Sequence, residues 1–294
     1  MLAIGERFFD NVAFMKLDPL TLKDWQIAEA AEAAMKPVST LAGEAGFQPA
    51  EVVAMGRNLA KVDYARVLER TSNASRGRYV DVTAITPTPF GEGKTTTTLG
   101  LVQGLSRLGR RVMGAIRQPS GGPTFNIKGS AAGGGLSQCI PLAPFSLGLT
   151  GDINAVTNAN NLAMVALTAR MQHEHNYDDA RLKRIGLRRL DVDPSTVQMQ
   201  WAIDFCAQAL RHITIGKGGK MDGFQMESGF QMSVASEVMA ILAVTTGLAD
   251  MRERMGRIVV AYDRNGGEVT TEDLDVAGAM TAWMVEAINP SLLQ

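Results

Sequence analysis

The chain has 294 residues, 46% of them hydrophobic, enough to bury one large core or two ordinary ones. A net charge of −1 with only 20% charged residues gives no global reason to expect a nucleic acid or an acidic surface as partner. The two cysteines, Cys139 and Cys206, lack metal-ligand spacing and read as buried thiols in a reduced compartment, while no apolar run approaches the roughly 20 residues that span a bilayer. Glu6, Asp10 and Asp18 near the N-terminus do not fit a signal peptide, so a cytoplasmic protein is expected.

In chain order, residues 1–25 stand apart as an arm. ERFFDNVAFMKL carries Phe8, Phe9 and Phe14 ahead of any compact element; it either folds back on its own domain or docks on another subunit. Residues 26–294 are expected to form a single domain. From Asp24 to Arg70 the pattern is helical, with IAEAAEAA rich in helix formers and a second helix opening near Gln48-Pro49. RYVDVTAIT (Arg78 to Thr86) reads as a buried strand, TTTTLGLVQGLSRLG as a helix, and RRVMGAIRQPS (Arg110 to Ser120) as a second strand. Strand, glycine loop, helix and strand make a βαβ unit, which implies a parallel sheet with a right-handed crossover. The glycine-rich stretch Phe125 to Gly151 is too irregular for a long element.

Beyond it, DPSTVQMQWAIDFCAQALRH suggests a helix with Asp193 as N-cap, Pro194 in its first position and Val197, Trp201 and Phe205 on one face. HITIG (His212 to Gly216) and GRIVVAYD (Gly256 to Asp263) are strand candidates, and SVASEVMAILAVTTGLADMRERM between them reads as one long, mostly buried helix. RLKRIGLRR (Arg181 to Arg189) is either a solvated basic segment or a partner contact. His173 and His175 stand two apart, a spacing that does not put both on one helix face, which argues against a metal pair; His212 opens a strand and reads as structural. The fold class expected is α/β, a parallel-sheet P-loop NTPase-like domain with flanking helices.

The chemistry concentrates in TPTPFGEGKTTTT, Thr86 to Thr98. Against the phosphate-loop pattern G-x-x-x-x-G-K-[ST], this window begins with Thr88 in place of the first glycine and then retains Gly93, Lys94 and Thr95. Gly91 and Gly93 let backbone N–H groups turn toward phosphates at a helix N-terminus, Lys94 reaches β- and γ-phosphates, and Thr95 is placed to ligate Mg²⁺. The expected nucleotide set is Thr88, Gly91, Glu92, Gly93, Lys94, Thr95 and Thr96. The alternative is a plain strand-to-helix turn that happens to carry a lysine.

The wider string, with IRQPSGGPTFNIKGSAAGGGLSQCIPL, LTGDINAVTNANNL and SVASEVMAILAV, resembles formate–tetrahydrofolate ligase from about Asp24 to the last residue. The resemblance implies ATP with Mg²⁺, a formyl-phosphate intermediate and transfer of the formyl group to N10 of tetrahydrofolate. It gives Lys94, Arg117 and Asp152 catalytic parts. Arg117 would hold the formate carboxylate and then the acyl phosphate in two-point fashion, where the bland alternative is an ordinary ion pair. Asp152 matches an acid of the family pattern, where the bland alternative is a loop cap.

The chain departs from that family in two ways. Family chains are roughly twice as long and continue into domains that carry much of the folate surface, so a partner chain resembling that half, or a homo-oligomer, is expected. The family's L-H-x-T-G-D-I-H reads here with Gly148 and Asn154 at the two histidines, Gln231 replaces an aspartate before SVASE, and Leu136 replaces the tyrosine of G-G-G-Y. Gln118 lies within the family's own range. The altered groups are those that move protons or hold a small anion. The expected function is therefore an ATP-binding subunit or divergent homologue of the ligase, with transfer from formyl-tetrahydrofolate toward formate as one of its two directions. A non-catalytic ATP-binding module of a ligase complex is the alternative. An unrelated phosphate-loop ATPase or kinase ranks last, because it leaves the downstream strings without a cause.

Overall fold

The computed structural model describes residues 2–4, 17–88, 91–121 and 131–294, and these divide into two compact units, 1–151 with 289–294 and 152–288. Phe8, Phe9 and Phe14, and with them most of the expected N-terminal arm, lie outside the described residues, as do Pro89, Phe90 and residues 122–130.

The first unit contains, in order, β1 (Leu2–Ile4), α1 (Asp24–Glu32), α2 (Val38–Glu44), β2 (Val52–Ala54), β3 (Ala60–Val62), α3 (Tyr64–Arg70), α4 (Lys94–Arg107), β4 (Met113–Ala115), a two-residue pair β5 (Gly133–Gly134) and β6 (Ser137–Gln138), and α5 (Leu142–Ser146). Pro49 opens a single 3-10 turn, Pro49–Glu51, where a second full helix was expected. The Glu51 side chain, 3% exposed, takes Arg70 through Nε and Nη2 and the Gln48 N–H, which fixes that turn against α3.

One mixed sheet runs β2, β3, the Ser291–Leu293 strand, β1, β4. Only β1 and Ser291–Leu293 pair in parallel; β1 with β4, Ser291–Leu293 with β3, and β2 with β3 are antiparallel. The mixture of helix and sheet is α/β as expected, but the strand expected at Arg78 to Thr86 has no ladder among the described residues. Tyr79, Val80 and Ile85 are 90%, 63% and 107% exposed. A β-rich sequence becomes a strand only where a neighbour completes its backbone hydrogen bonds, and that neighbour is a tertiary matter. The second expected strand is also shorter than its sequence, Met113–Ala115 within Arg110 to Ser120.

The second unit is built on α6 (Asp152–Asn176), followed by α7 (Asp179–Arg184), β7 (Trp201–Ile203), β8 (Ile213–Ile215), β9 (Met226–Ser228), β10 (Phe230–Met232), α8 (Glu237–Val244), α9 (Leu248–Gly256), β11 (Val259–Tyr262), β12 (Glu268–Thr270) and α10 (Ala277–Trp283). Ile153, Val156, Ala163, Met164, Leu167 and Met171 of α6 pack in one core with Met251 and Met255 of α9 and Met280 of α10. Methionine fills such irregular helix junctions because its side chain is unbranched and polarizable.

Two sequence expectations change here. Asp193 does cap a turn, accepting from the Ser195 N–H at 2.9 Å, but the turn is 3-10 (Pro194–Thr196) and no long helix follows. Trp201–Ile203 is instead a strand parallel to β10, with Trp201 opposite Phe230. Its backbone is held by α6: Asn161 accepts from the Ala202 N–H at 2.7 Å and donates to the Ala202 carbonyl at 3.0 Å, and Asn160 donates to the Gln200 carbonyl at 2.9 Å. An amide side chain thus stands in for a neighbouring strand, which helical spacing of Val197, Trp201 and Phe205 could not reveal.

The long helix expected across SVASEVMAILAVTTGLADMRERM is a 3-10 turn and two helices, broken at Thr245-Thr246-Gly247. Thr245 is extended, and Asp250 accepts from the Thr246 N–H at 2.9 Å and from Arg254 Nε at 2.9 Å. Threonine and aspartate compete with the helix for backbone bonds, so the TTG sequence stops α8 and Asp250 starts α9. The Thr246 N–H first, and then Arg254, hold the Asp250 carboxyl down to about 2. A depressed carboxylate contributes stability in full above its ordinary value of 3.8, and that contribution is lost as pH falls through about 2. Asp250→Asn should therefore lower the urea midpoint at pH 7, and the gap from the unaltered chain should be narrower at pH 3. A gap independent of pH would remove the charge from this explanation.

Among the described residues no helix is long and apolar enough to cross a membrane. The basic segment Arg181 to Arg189 is mostly exposed, with Arg189 paired to Asp179 at 2.6 Å and Arg188 paired to Asp273. Cys139 is fully buried, which pushes its thiol up to about 12, whereas Cys206 is only half-buried.

Candidate functional site

α4 begins where the glycine loop ends. Gly93 is the N-cap, with φ of +73°, and it has no side chain to close the helix start. The first helical bond of that turn runs from the Thr97 N–H to the Gly93 carbonyl at 2.8 Å. The earlier amides of an α-helix have no partner within the helix. Lys94 and Thr96 are exposed and Thr95 is half-buried in this first turn. An open helix start carrying a cation and hydroxyls is suited to an anion with several oxygens.

The loop before it is closed on itself by short-range bonds. Thr88 Oγ1 donates to the Gly91 carbonyl at 3.0 Å, and the Gly91 N–H donates back to the Thr88 carbonyl at 3.2 Å. Glu92 accepts from the Thr88 N–H with one oxygen and from Lys94 Nζ with the other. Lys94 first, and then Thr88, hold the Glu92 carboxyl down to about 2, so it is ionised at any ordinary pH. Lys94 keeps 47% of its side chain exposed beside this partner. The cation is positioned by its own loop while it still faces solvent.

The body of α4 is fixed from below. Leu99 and Val102 are buried, and Leu99 joins Leu59, Ala132, Cys139, Phe145 and Leu293 in one cluster. Each such aliphatic burial contributes about 1.5–3 kcal/mol. The β5–β6 hairpin packs against the helix: Gln103 Nε2 donates to the Leu136 carbonyl at 2.7 Å and Ser137 Oγ donates to Gln103 Oε1 at 2.9 Å. The far side of the hairpin is tied to α1, where Asp24 Oδ1 accepts the Gly135 N–H at 2.8 Å. Asp24 and Gln103 were not among the residues singled out from sequence. They lie 111 and 33 residues from their partners, and nothing local marks the pairing.

Arg117 is exposed two residues past β4, and its neighbour Gln118 is buried, with a side-chain oxygen that finds no hydrogen-bond partner among the described residues. Asp152 is half-buried at the first position of α6, where a helix start favours a carboxylate. Thr88, Glu92, Lys94, Thr95 and Arg117 belong to the first unit, while Asp152 opens the second.

The positions expected from sequence to differ from the family pattern acquire structural settings. Gly148 has φ of +122°, a conformation that an L side chain rarely adopts, so histidine there would strain this turn. Asn154 is exposed on the first turn of α6, Gln231 lies in β10 opposite Ala202, and Leu136 sits 40% exposed between β5 and β6. His173 stacks on Tyr177 with centroids 5.7 Å apart, and His175 meets Phe224 at 5.2 Å. No group of three metal-ligating side chains occurs among the described residues. A surface cavity of about 650 Å³ lies in the second unit, and four of its lining charges pair with each other, Arg252 with Glu272 and Arg257 with Glu253.

These features define an α/β protein with a glycine-capped, lysine- and threonine-bearing helix start. The family model for formate–tetrahydrofolate ligase matches residues 22–294. The formate–tetrahydrofolate ligase of Dehalococcoides mccartyi strain CBDB1 is 62% identical over 293 residues, covering 100% of this chain and 49% of the relative. That of Desulforapulum autotrophicum is 61% identical over 284 residues, covering 95% and 48%. The chain belongs to the formate–tetrahydrofolate ligase family, and it spans about half the length of the curated relatives it matches.

Proposed function

We propose that this chain is the ATP-binding part of a formate–tetrahydrofolate ligase in cytoplasmic one-carbon metabolism, and that it works with a second polypeptide supplying the other half. The observation that carries the reading is the family match across 22–294, joined to an open α4 start with Lys94, Thr95 and Thr96 in its first turn. In this reading the backbone around Thr88, Gly91, Glu92 and Gly93 and the amides of Lys94, Thr95 and Thr96 cradle the phosphates of ATP. Lys94 holds the β- and γ-oxygens by charge, and the Thr95 hydroxyl is a hard oxygen ligand suited to Mg²⁺.

Formate oxygen attacks the γ-phosphorus and ADP leaves, giving formyl phosphate; N10 of tetrahydrofolate then attacks the formyl carbon and phosphate leaves. Arg117 would hold the carboxylate and then the acyl phosphate, since a guanidinium matches both in two-point geometry. Asp152 would serve as the family's acid at the start of α6. The same residues would serve transfer in either direction, and operation from formyl-tetrahydrofolate toward formate, with ADP and phosphate returned to ATP, belongs to the proposal as well. The parallel phosphate-loop sheet of the sequence reading belongs to this proposal as well. A non-catalytic ATP-binding module is favoured instead by the non-titratable Gly148 and Asn154 if no turnover accompanies binding.

The test is to tag the chain in its own cells, measure the intact masses of the purified complex, and assay ADP and formyl-tetrahydrofolate with and without the companion. A stoichiometric second chain of similar size, with turnover that needs both, is the expected result. A chain recovered alone that binds Mg·ATP without consuming it makes the module the better reading.

A further inference from the structure

We propose that the end of α6, flanked by α7 and by the tip of the β8–β9 hairpin, is a docking face for an acidic peptide segment of a partner protein, one that carries apolar side chains among its carboxylates. The proposal goes beyond the ATP-binding reading and does not depend on it.

Positive charge is concentrated here. Residues 170–190 and 211–224 carry nine Lys and Arg against four Asp and Glu, in a chain whose formal net charge is −1. The acids are committed locally. Glu174 accepts the Leu190 and Asp191 N–H groups at 2.7 and 2.9 Å, Asp178 caps α7 through the Arg181 N–H at 2.8 Å, and Asp179 pairs with Arg189. Asp222 folds onto its own loop, where a Cβ on Gly218 would lie 1.9 Å from its Oδ2. Arg181, Lys183, Arg184, Lys217 and Lys220 are all exposed, and none of them forms an ion pair among the described residues.

α6 sets these cations side by side. Gln172 and Asn176 lie one turn apart on one face, and their amides donate to the Lys220 carbonyl at 2.9 and 3.4 Å; Gln172 also reaches the Met221 carbonyl at 2.9 Å. His173 and Tyr177 present the next face, with the Tyr177 N–H bonded to the His173 carbonyl at 2.9 Å, and Arg181 lies over the Tyr177 ring at 5.7 Å. Successive helix positions are about 100° apart, so the loop with Lys217 and Lys220 and the helix with Lys183 and Arg184 occupy neighbouring sides of one helix end. The course of that loop is fixed: Gly216 has φ of +75°, and a Cβ there would meet the Phe224 carbonyl oxygen at 2.0 Å.

The kind of partner follows from what lies between the cations. Tyr177, Ile185 and Met221 are 36%, 44% and 85% exposed, apolar surface that a protein segment buries and a bare polyanion does not. A nucleic acid needs an open aromatic face for its bases, but the Tyr177 ring is already stacked by His173 and covered by Arg181. An anionic membrane meets the exposed Asp178, Asp179 and Asp222 together with the cations, whereas a single extended chain passes between them.

Fluorescence anisotropy on the full 294-residue chain tests this, with a labelled peptide of four Glu-Glu-Leu-Glu repeats as probe. Binding should be micromolar and weaken at least about tenfold between about 50 and about 300 mM salt. Lys183→Glu with Arg184→Glu, and separately Lys217→Glu with Lys220→Glu, should each weaken it at least about tenfold with the urea midpoint in place, because both elements contribute. The same repeats with serine for leucine should bind at least about fivefold more weakly. That comparison uses the unaltered chain, so it decides even where a reversed pair shifts the midpoint. No binding of the probe, loss confined to one reversed pair, equal affinity for the leucine and serine peptides, or tighter binding of a single-stranded RNA or of phosphatidylserine vesicles would each overturn the proposal.

Discussion

Replacing Lys94 by alanine should weaken Mg·ATP binding about 100-fold and leave the chain folded. The ammonium is exposed at the start of α4 and bonds within the loop to Glu92. Its removal takes away charge-assisted bonds to phosphate worth about 1.5–3 kcal/mol each. It also leaves the Glu92 carboxylate facing the triphosphate with no cation between them. Adding Glu92→Gln to Lys94→Ala should therefore recover part of the loss, since glutamine can still accept the Thr88 N–H without carrying charge. Calorimetric titration of the unaltered chain, Lys94→Ala, Glu92→Gln and the double variant gives the coupling. An affinity for Lys94→Ala within threefold of the unaltered chain would show that this loop does not hold the nucleotide.

Gly133→Ala is expected to be the most damaging single methyl group in the first unit. A Cβ there would lie 2.1 Å from the Ser137 carbonyl oxygen and 2.8 Å from Leu99 Cδ1, in a residue with φ of +99°. Neither the hairpin backbone nor the buried Leu99 can give way without moving α4. The combined strain and overpacking should cost about 2–4 kcal/mol in urea unfolding. Because Leu99 anchors the helix that carries Lys94, Mg·ATP affinity should fall as well. Gly134→Ala is the control. Its Cβ would meet only Asp24 oxygens, the nearer at 3.5 Å, and the expected cost is below about 1 kcal/mol. Equal losses at the two positions would mean that the close approach at Gly133 does not govern the packing of α4.

Gly148, Asn154, Gln231 and Leu136, which the sequence reading sets apart from the family pattern, bear on the proposed chemistry differently once placed. Asn154 and Leu136 are exposed, and a changed side chain there alters what a ligand or partner meets without disturbing a core. Gly148 is a backbone matter, since its positive φ suits glycine and restoring histidine would strain the turn before α6. A return to the family residue at this one position therefore tests conformation and chemistry together, whereas Asn154→His tests chemistry alone.

The amino-acid sequence by itself determined the features that depend on neighbours along the chain. The helix Lys94–Arg107 follows from TTTTLGLVQGLSRLG, the Asp193 cap from D-P-S, and the strands Ile213–Ile215 and Val259–Tyr262 from short β-branched runs. The glycines, lysine and threonines of the loop were legible for the same reason: their spacing relative to one helix start is fixed by local geometry. Only the tertiary structure decided the rest. Whether RYVDVTAIT is a strand depends on a partner edge, whether WAI is strand or helix depends on Asn160 and Asn161 forty residues earlier, and whether Lys94 stands free depends on Glu92 being drawn onto Thr88. Helical spacing and apolar runs record what a segment can become. Backbone hydrogen bonds left open by the segment itself must be closed by residues distant in sequence, and which residues arrive to close them is settled by packing.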